Sequence, residues 1–168
     1  MATVDPNGYS PLAWTTFGVA LASVAGALTG LLFVALSIKG TALTGSRALR
    51  SRAAQTLVLF MTSVLIAGVL VAPQPTTAVG AELCAVAGVC GALVLILDRR
   101  AGHSHEPGVA RYVERFSPNT ITAVLVAVAG ITLLVGAGGG LYWLLPAVAA
   151  SLVGGVVNAW LFLVNLPG

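Results

Sequence analysis

Apolar residues in this chain do not recur with the period of a half-buried helix or strand; they run on without interruption. Five such runs extend from Leu12 to Ile38, Ala54 to Ala72, Ala78 to Leu97, Asn119 to Gly136 and Leu141 to Val164, with lengths of 27, 19, 20, 18 and 24 residues. A bilayer hydrocarbon core about 30 Å thick takes about 20 helical residues to cross, so each run is long enough to span, the first and last with tilt or projection. The runs do not alternate as barrel strands do, and lipid requires every backbone polar group to be paired within the segment. The pattern therefore predicts an all-α, polytopic membrane protein with five transmembrane helices in a single transmembrane domain.

The connections carry their own signals. Pro73-Gln74-Pro75 and the glycine-rich stretch Gly136 to Gly140 read as tight turns, while Asp98 to Pro118 is the longest loop. Within that loop Val109, Tyr112, Val113 and Phe116 follow Pro107 at i, i+3, i+4 and i+7 spacing. This predicts a short interfacial helix over 107–116, the alternative being an ordinary loop packed on the helix ends. Ser117 is then placed to cap the fourth span, with Pro118 in its first turn.

Composition excludes a water-soluble class. Hydrophobic residues make up 58% and charged residues 8%, whereas a soluble surface needs roughly a quarter charged. The distribution of those few charges is more informative than their number. Lys39, Arg47, Arg50 and Arg52 lie between the first and second runs, and Arg99, Arg100, Arg111 and Arg115 between the third and fourth. All eight basic residues thus fall on one side, which the positive-inside rule assigns to the cytoplasm of an inner-membrane protein, with the N-terminus out and the C-terminus in. Tyr9, Trp14, Tyr142 and Trp143 cluster at the opposite boundary, where amphipathic rings favour the head groups. Asp5 stands where a signal peptide needs basic residues, so the first span is expected to be retained. The net charge of +3 then points to anionic lipid head groups as partners, not to nucleic acid.

Helices in lipid associate through close backbone approach, which makes small residues at spacing four informative. The first span carries Gly18, Ala22, Gly26 and Gly30; the third Gly80, Cys84, Gly88 and Ala92; the fifth Ala147, Ser151, Gly155 and Ala159. Spans one, three and five are expected to pack tightly through these rows, either within one subunit or between subunits of a homo-oligomer. Cys84 and Cys90, six residues apart, point to different faces and are expected to be buried thiols.

Few groups could carry chemistry. Glu82 is the one acid well inside an apolar run and is either a vestibule or cation site or an interfacial acid reaching toward water or Tyr142. Thr29, Gln55, Thr56 and Asn158 lie toward the cytoplasmic half, and Ser23, Thr62, Ser63 and Ser151 nearer mid-depth; they read as interhelical hydrogen bonding or as a polar lining. His103 and His105 with Glu106 are too few and wrongly spaced for a recognised metal site and read first as a solvated loop. No enzyme motif is present, and neither a cofactor nor catalysis is expected.

The segment Trp14 to Ser37, followed by Arg52 to Phe60, resembles a widespread group of small bacterial multi-pass membrane proteins, mostly uncharacterised, some of which are named modulators of the membrane protease FtsH. The resemblance marks Thr29, Gly30 and Gln55 as motif positions and implies no chemistry for them. Two functions fit these observations: a self-associating protein that forms or contributes to a small solute or ion pathway, and a non-transporting accessory or regulatory subunit of a larger membrane complex such as a membrane protease. Both require the same topology. Single cysteines at Gly8, Thr76 and Gly139 should react with an impermeant outside reagent in a background lacking Cys84 and Cys90, and cysteines at Ser46 and Ser104 should not. Labelling at Ser104 from outside would overturn the five-span arrangement.

Overall fold

The computed structural model describes residues 6–38, 47–101 and 118–164. The interfacial helix expected at 107–116, its neighbour Ser117, and His103 and His105 lie outside these residues. Among the described residues there are five helices, each long and apolar enough to cross a membrane: α1 (Thr15–Ile38), α2 (Arg47–Val71), α3 (Thr76–Ala101), α4 (Pro118–Val135) and α5 (Leu144–Val164). Single 3-10 turns cover Pro6–Tyr9, Pro11–Trp14 and Gly140–Trp143. The apolar runs and the helices agree closely except at the basic ends of α2 and α3, where helix continues beyond the hydrocarbon-length stretch. Arginine, alanine and leucine in Arg47–Ala53 are good helix formers, so the hydrogen-bonded ladder propagates past the apolar limit.

The breaks follow from local chemistry. Pro73 and Pro75 cannot continue α2, and the Pro75 carbonyl accepts the amides of Ala78 and Val79 at 2.9 and 3.2 Å to start α3. Between α4 and α5, Gly136, Gly138, Gly139 and Gly140 all hold positive φ, from 55° to 111°, a region that side chains with a Cβ rarely enter. The N-terminal 3-10 segment closes over this turn. The Tyr9 hydroxyl accepts the Gly139 amide at 2.9 Å, and the indole of Trp14 donates to the Asn7 carbonyl at 2.8 Å while meeting Tyr142 edge to face. Gly8 is packed on Tyr142, so Thr77, exposed at the start of α3, reports accessibility of this end with less disturbance than Gly8 or Gly139.

Helices α2, α3, α4 and α5 form an antiparallel ring, with each packed on the next and α5 returning to α2; α1 lies outside the ring against α2. Burial follows this order. In the most apolar window of α1, 17% of the residues are buried, against 44% in α2, which Ile66, Leu70, Leu59 and Phe60 anchor in the interior.

The most extensive helix–helix contact is between α3 and α4. A Cβ added to Gly130 would lie 2.6 Å from Cys84 Sγ and 2.8 Å from the Gly80 carbonyl oxygen, and a Cβ on Gly91 would rest 3.7 Å from that of Ala123. In the same register Ala87 stands opposite Ala127. The small residues of α3 at this seam are therefore Gly80, Cys84, Ala87 and Gly91, not the strict four-residue row ending in Gly88 and Ala92, both of which are exposed. Shallowly crossed antiparallel helices follow a repeat near 3.5, so a strict spacing of four rotates off the interface within two turns.

The other rows divide similarly. On α5, Ser151 and Gly155 pack on α2 at Ser63 and Phe60, with Ala147 buried beside α4. On α1, Gly18 meets Leu70 and Val71, whereas Ala22, Gly26 and Gly30 are exposed and nothing lies within 4 Å of a Cβ built on either glycine. Spans one, three and five are thus not packed on one another; α2 and α4 separate them. Gly130→Ala is expected to lower the melting temperature in detergent, because overpacking of this kind costs roughly 1–3 kcal/mol. Gly26→Ala should be neutral or slightly stabilising. Equal melting temperatures for the two variants would contradict the seam.

Candidate functional site

Glu82 sits seven residues beyond Pro75 on the exposed side of α3. Its Oε2 accepts a hydrogen bond of 2.7 Å from Gln74 Nε2, and the same amide nitrogen donates to the Val69 carbonyl at 3.2 Å. Val69 is in the last turn of α2, where carbonyls have no partner further along the helix. Gln74 thus ties the end of α2 to the first turns of α3, and Glu82 holds the amide in place. The partner of Glu82 is this glutamine. The signal for Gln74 was its place between two prolines, which leaves its side chain as the flexible donor of a turn that has lost two backbone N–H groups.

The other polar candidates are not gathered around Glu82. Thr29 is half-buried on α1 and returns its hydroxyl to the Ala25 carbonyl at 2.7 Å, a bond within its own helix. Gln55 on α2 and Asn158 on α5 are each half-buried near the basic end, level with one another by the register that brings Ser63 to Ser151. Glu82 is on α3 at the other end of the ring.

Mid-depth hydroxyls make the interhelical bonds. Ser151 donates to the Leu59 carbonyl at 2.7 Å, and the Ser63 and Ser151 oxygens lie 2.9 Å apart with both side chains fully buried. Thr122 reaches the Ala147 carbonyl more loosely, at 3.5 Å. These groups stitch α2 to α5 and α4 to α5. Asn119, in the first turn of α4, is buried beside Thr62, Thr122 and Cys90 around a void of about 10 Å³. Sequence reading passed over it because a helix-start asparagine is expected at the interface, not inside the ring. Cys84 and Cys90 are both free thiols. Among the described residues, no three His, Cys, Asp or Glu side chains are grouped as a metal site would need.

One surface remains distinctive. Ala22, Gly26 and Gly30 form an exposed stripe on α1, turned away from α2, in a helix that has only one full-length neighbour among the described residues. Such a stripe presents bare backbone to the surroundings, which favours close approach of another helix over contact with flexible acyl chains.

No protein-family model matches the chain, and neither a curated protein nor a solved structure does so.

The hydroxyl contacts and the Glu82 contact should separate by mutation. Ser151→Ala removes two interhelical bonds, each worth about 0.6 kcal/mol in a membrane bundle, and should lower the melting temperature measurably. Glu82→Gln keeps a hydrogen-bonding oxygen toward Gln74 at an exposed site and should leave it nearly unchanged. A larger loss for Glu82→Gln than for Ser151→Ala would mean that the acid holds the bundle together.

Proposed function

We propose that this chain is a multi-pass protein of the cytoplasmic membrane, N-terminus outside and C-terminus inside, whose work is helix docking: it self-associates through the open face of α1 and can present that face to a larger membrane complex. The observation that carries this reading is the exposed stripe of Ala22, Gly26 and Gly30, with nothing within 4 Å of a Cβ built on either glycine, although α1 is as apolar as the other spans. The orientation rests on the eight basic residues, all of which fall at the end opposite the two short turns.

The pathway reading has less support. A conduit needs a continuous polar, hydrated lining. The buried hydroxyls of Ser63 and Ser151 are engaged in helix contacts, and Glu82, Thr29, Gln55 and Asn158 are distributed over four helices and both ends of the ring. A solute route between subunits would still require the docking proposed here, so self-association is the step to test first.

The test uses full-length chains carrying donor or acceptor fluorophores at Thr77→Cys, reconstituted in liposomes. Energy transfer should rise with the protein-to-lipid ratio, and Gly26→Leu or Gly30→Leu should weaken association by about an order of magnitude, roughly 1.4 kcal/mol, at unchanged melting temperature. Transfer that is insensitive to both variants would remove the α1 face from the interface. A native chain that stays monomeric at every ratio would exclude self-association.

A further inference from the structure

On the side of α1 remote from the small-residue stripe, a groove of about 230 Å³ opens between α1 and α5. Its walls are Leu28, Leu31 and Ala35 of α1 and Val156 and Trp160 of α5, and Phe60 of α2 forms the floor. The lining is almost wholly apolar. Helix geometry separates the groove from the docking face: at 100° per residue, Ala35 is turned about 180° from Gly26.

Depth and length restrict the occupant. The α1 lining from Leu28 to Ala35 covers about 10 Å of helix axis, on the basic-end side of the middle of the span. Toward the other end the space is closed, since Leu21 and Ala25 are buried and Gly18 meets Leu70 and Val71. A transmembrane helix would need a face about 30 Å long, whereas one leaflet offers about 15 Å of hydrocarbon. The groove therefore has the length of part of one acyl chain.

Charge at the open end selects the head group. The α1–α2 register that sets Gly18 beside Leu70 puts Arg50 level with Ile38, about one turn beyond Ala35. Arg50 is exposed there, Arg47 and Arg52 are its near neighbours in sequence, and Lys39 follows Ile38 directly in the chain. A lipid with one chain in the groove would carry its phosphate to this level. We propose that the groove is a binding site for an anionic phospholipid of the basic-side leaflet, with an acyl chain against Phe60 and Trp160 and the head group at Arg50. The site is independent of which side of the membrane that leaflet faces, and it does not require self-association.

Trp160, 68% exposed and part of the groove wall, is a built-in reporter. The full chain is reconstituted in phosphatidylcholine bilayers containing a small fraction of either phosphatidylglycerol or phosphatidylcholine with dibrominated chains, which quench indole fluorescence on contact. The Trp160 contribution is the difference between the native chain and Trp160→Phe. Brominated phosphatidylglycerol should quench it at about fivefold lower mole fraction than brominated phosphatidylcholine, the ratio expected from one basic residue at a membrane surface. Arg50→Gln, at an exposed position, should bring the two lipids toward equal quenching, and Ala35→Phe, which fills the groove, should abolish the preference. Equal quenching by both lipids in the native chain would overturn the proposal, as would a preference unchanged in both variants. Quenching of Trp160 by neither lipid would mean that a protein segment covers the groove, and would overturn it too.

Discussion

Lipid supplies no hydrophobic drive between helices, because a leucine side chain is as well solvated by acyl chains as by another helix. Whatever holds this protein together must come from backbones brought within van der Waals reach and from hydrogen bonds that lipid cannot offer. The Gly130 contact with Cys84 and Gly80 is the clearest case, since a single added carbon there would collide with sulfur and backbone together. The rest of the ring is organised around equivalent contacts, Gly155 on Phe60 and Gly154 on Pro118, with the Ser63–Ser151 pair as a polar tie between α2 and α5.

From that constraint the asymmetry of α1 follows. Four helices close a ring and satisfy one another; a fifth has only the outer side of α2 to pack on. Its Gly18 is used in this contact, and the remaining small residues of the row are left on the surface. The N-terminal 3-10 segment compensates at one end, where Tyr9 and Trp14 fasten the start of α1 to the turn between α4 and α5. Among the described residues, no equivalent fastening draws α1 to α5 toward the basic end, and the apolar groove lies there.

Much of this architecture was legible in the sequence because bilayer thickness dictates it. Runs of about 20 apolar residues bounded by prolines and glycines marked all five spans, and Pro118 opens α4 as its position implied. Helix facing was not legible. In a span that is apolar all round, hydrophobic periodicity does not say which side meets a neighbour, so the four-residue rows were read without a direction. The α3–α4 seam needed a 4-3 spacing instead: Cys84, Ala87 and Gly91 against Ala123, Ala127 and Gly130. Gly130 was overlooked because it belongs to no four-residue row. Glu82 was recognised as unusual from its setting alone, but its tie to Gln74 depends on how the Pro73–Pro75 turn folds back, which no spacing rule encodes.

On the proposed reading the ring is complete and α1 is the face left for a partner. Intermolecular electron spin distances in bilayers test it most directly, using one nitroxide at Ala27, beside the exposed stripe, and in a second preparation at Leu95, exposed on α3. Copies labelled at Ala27 are expected to show a short, well-defined distance, consistent with helix axes about 8–10 Å apart, and Leu95 only background. A short distance from Leu95 with none from Ala27 would contradict it.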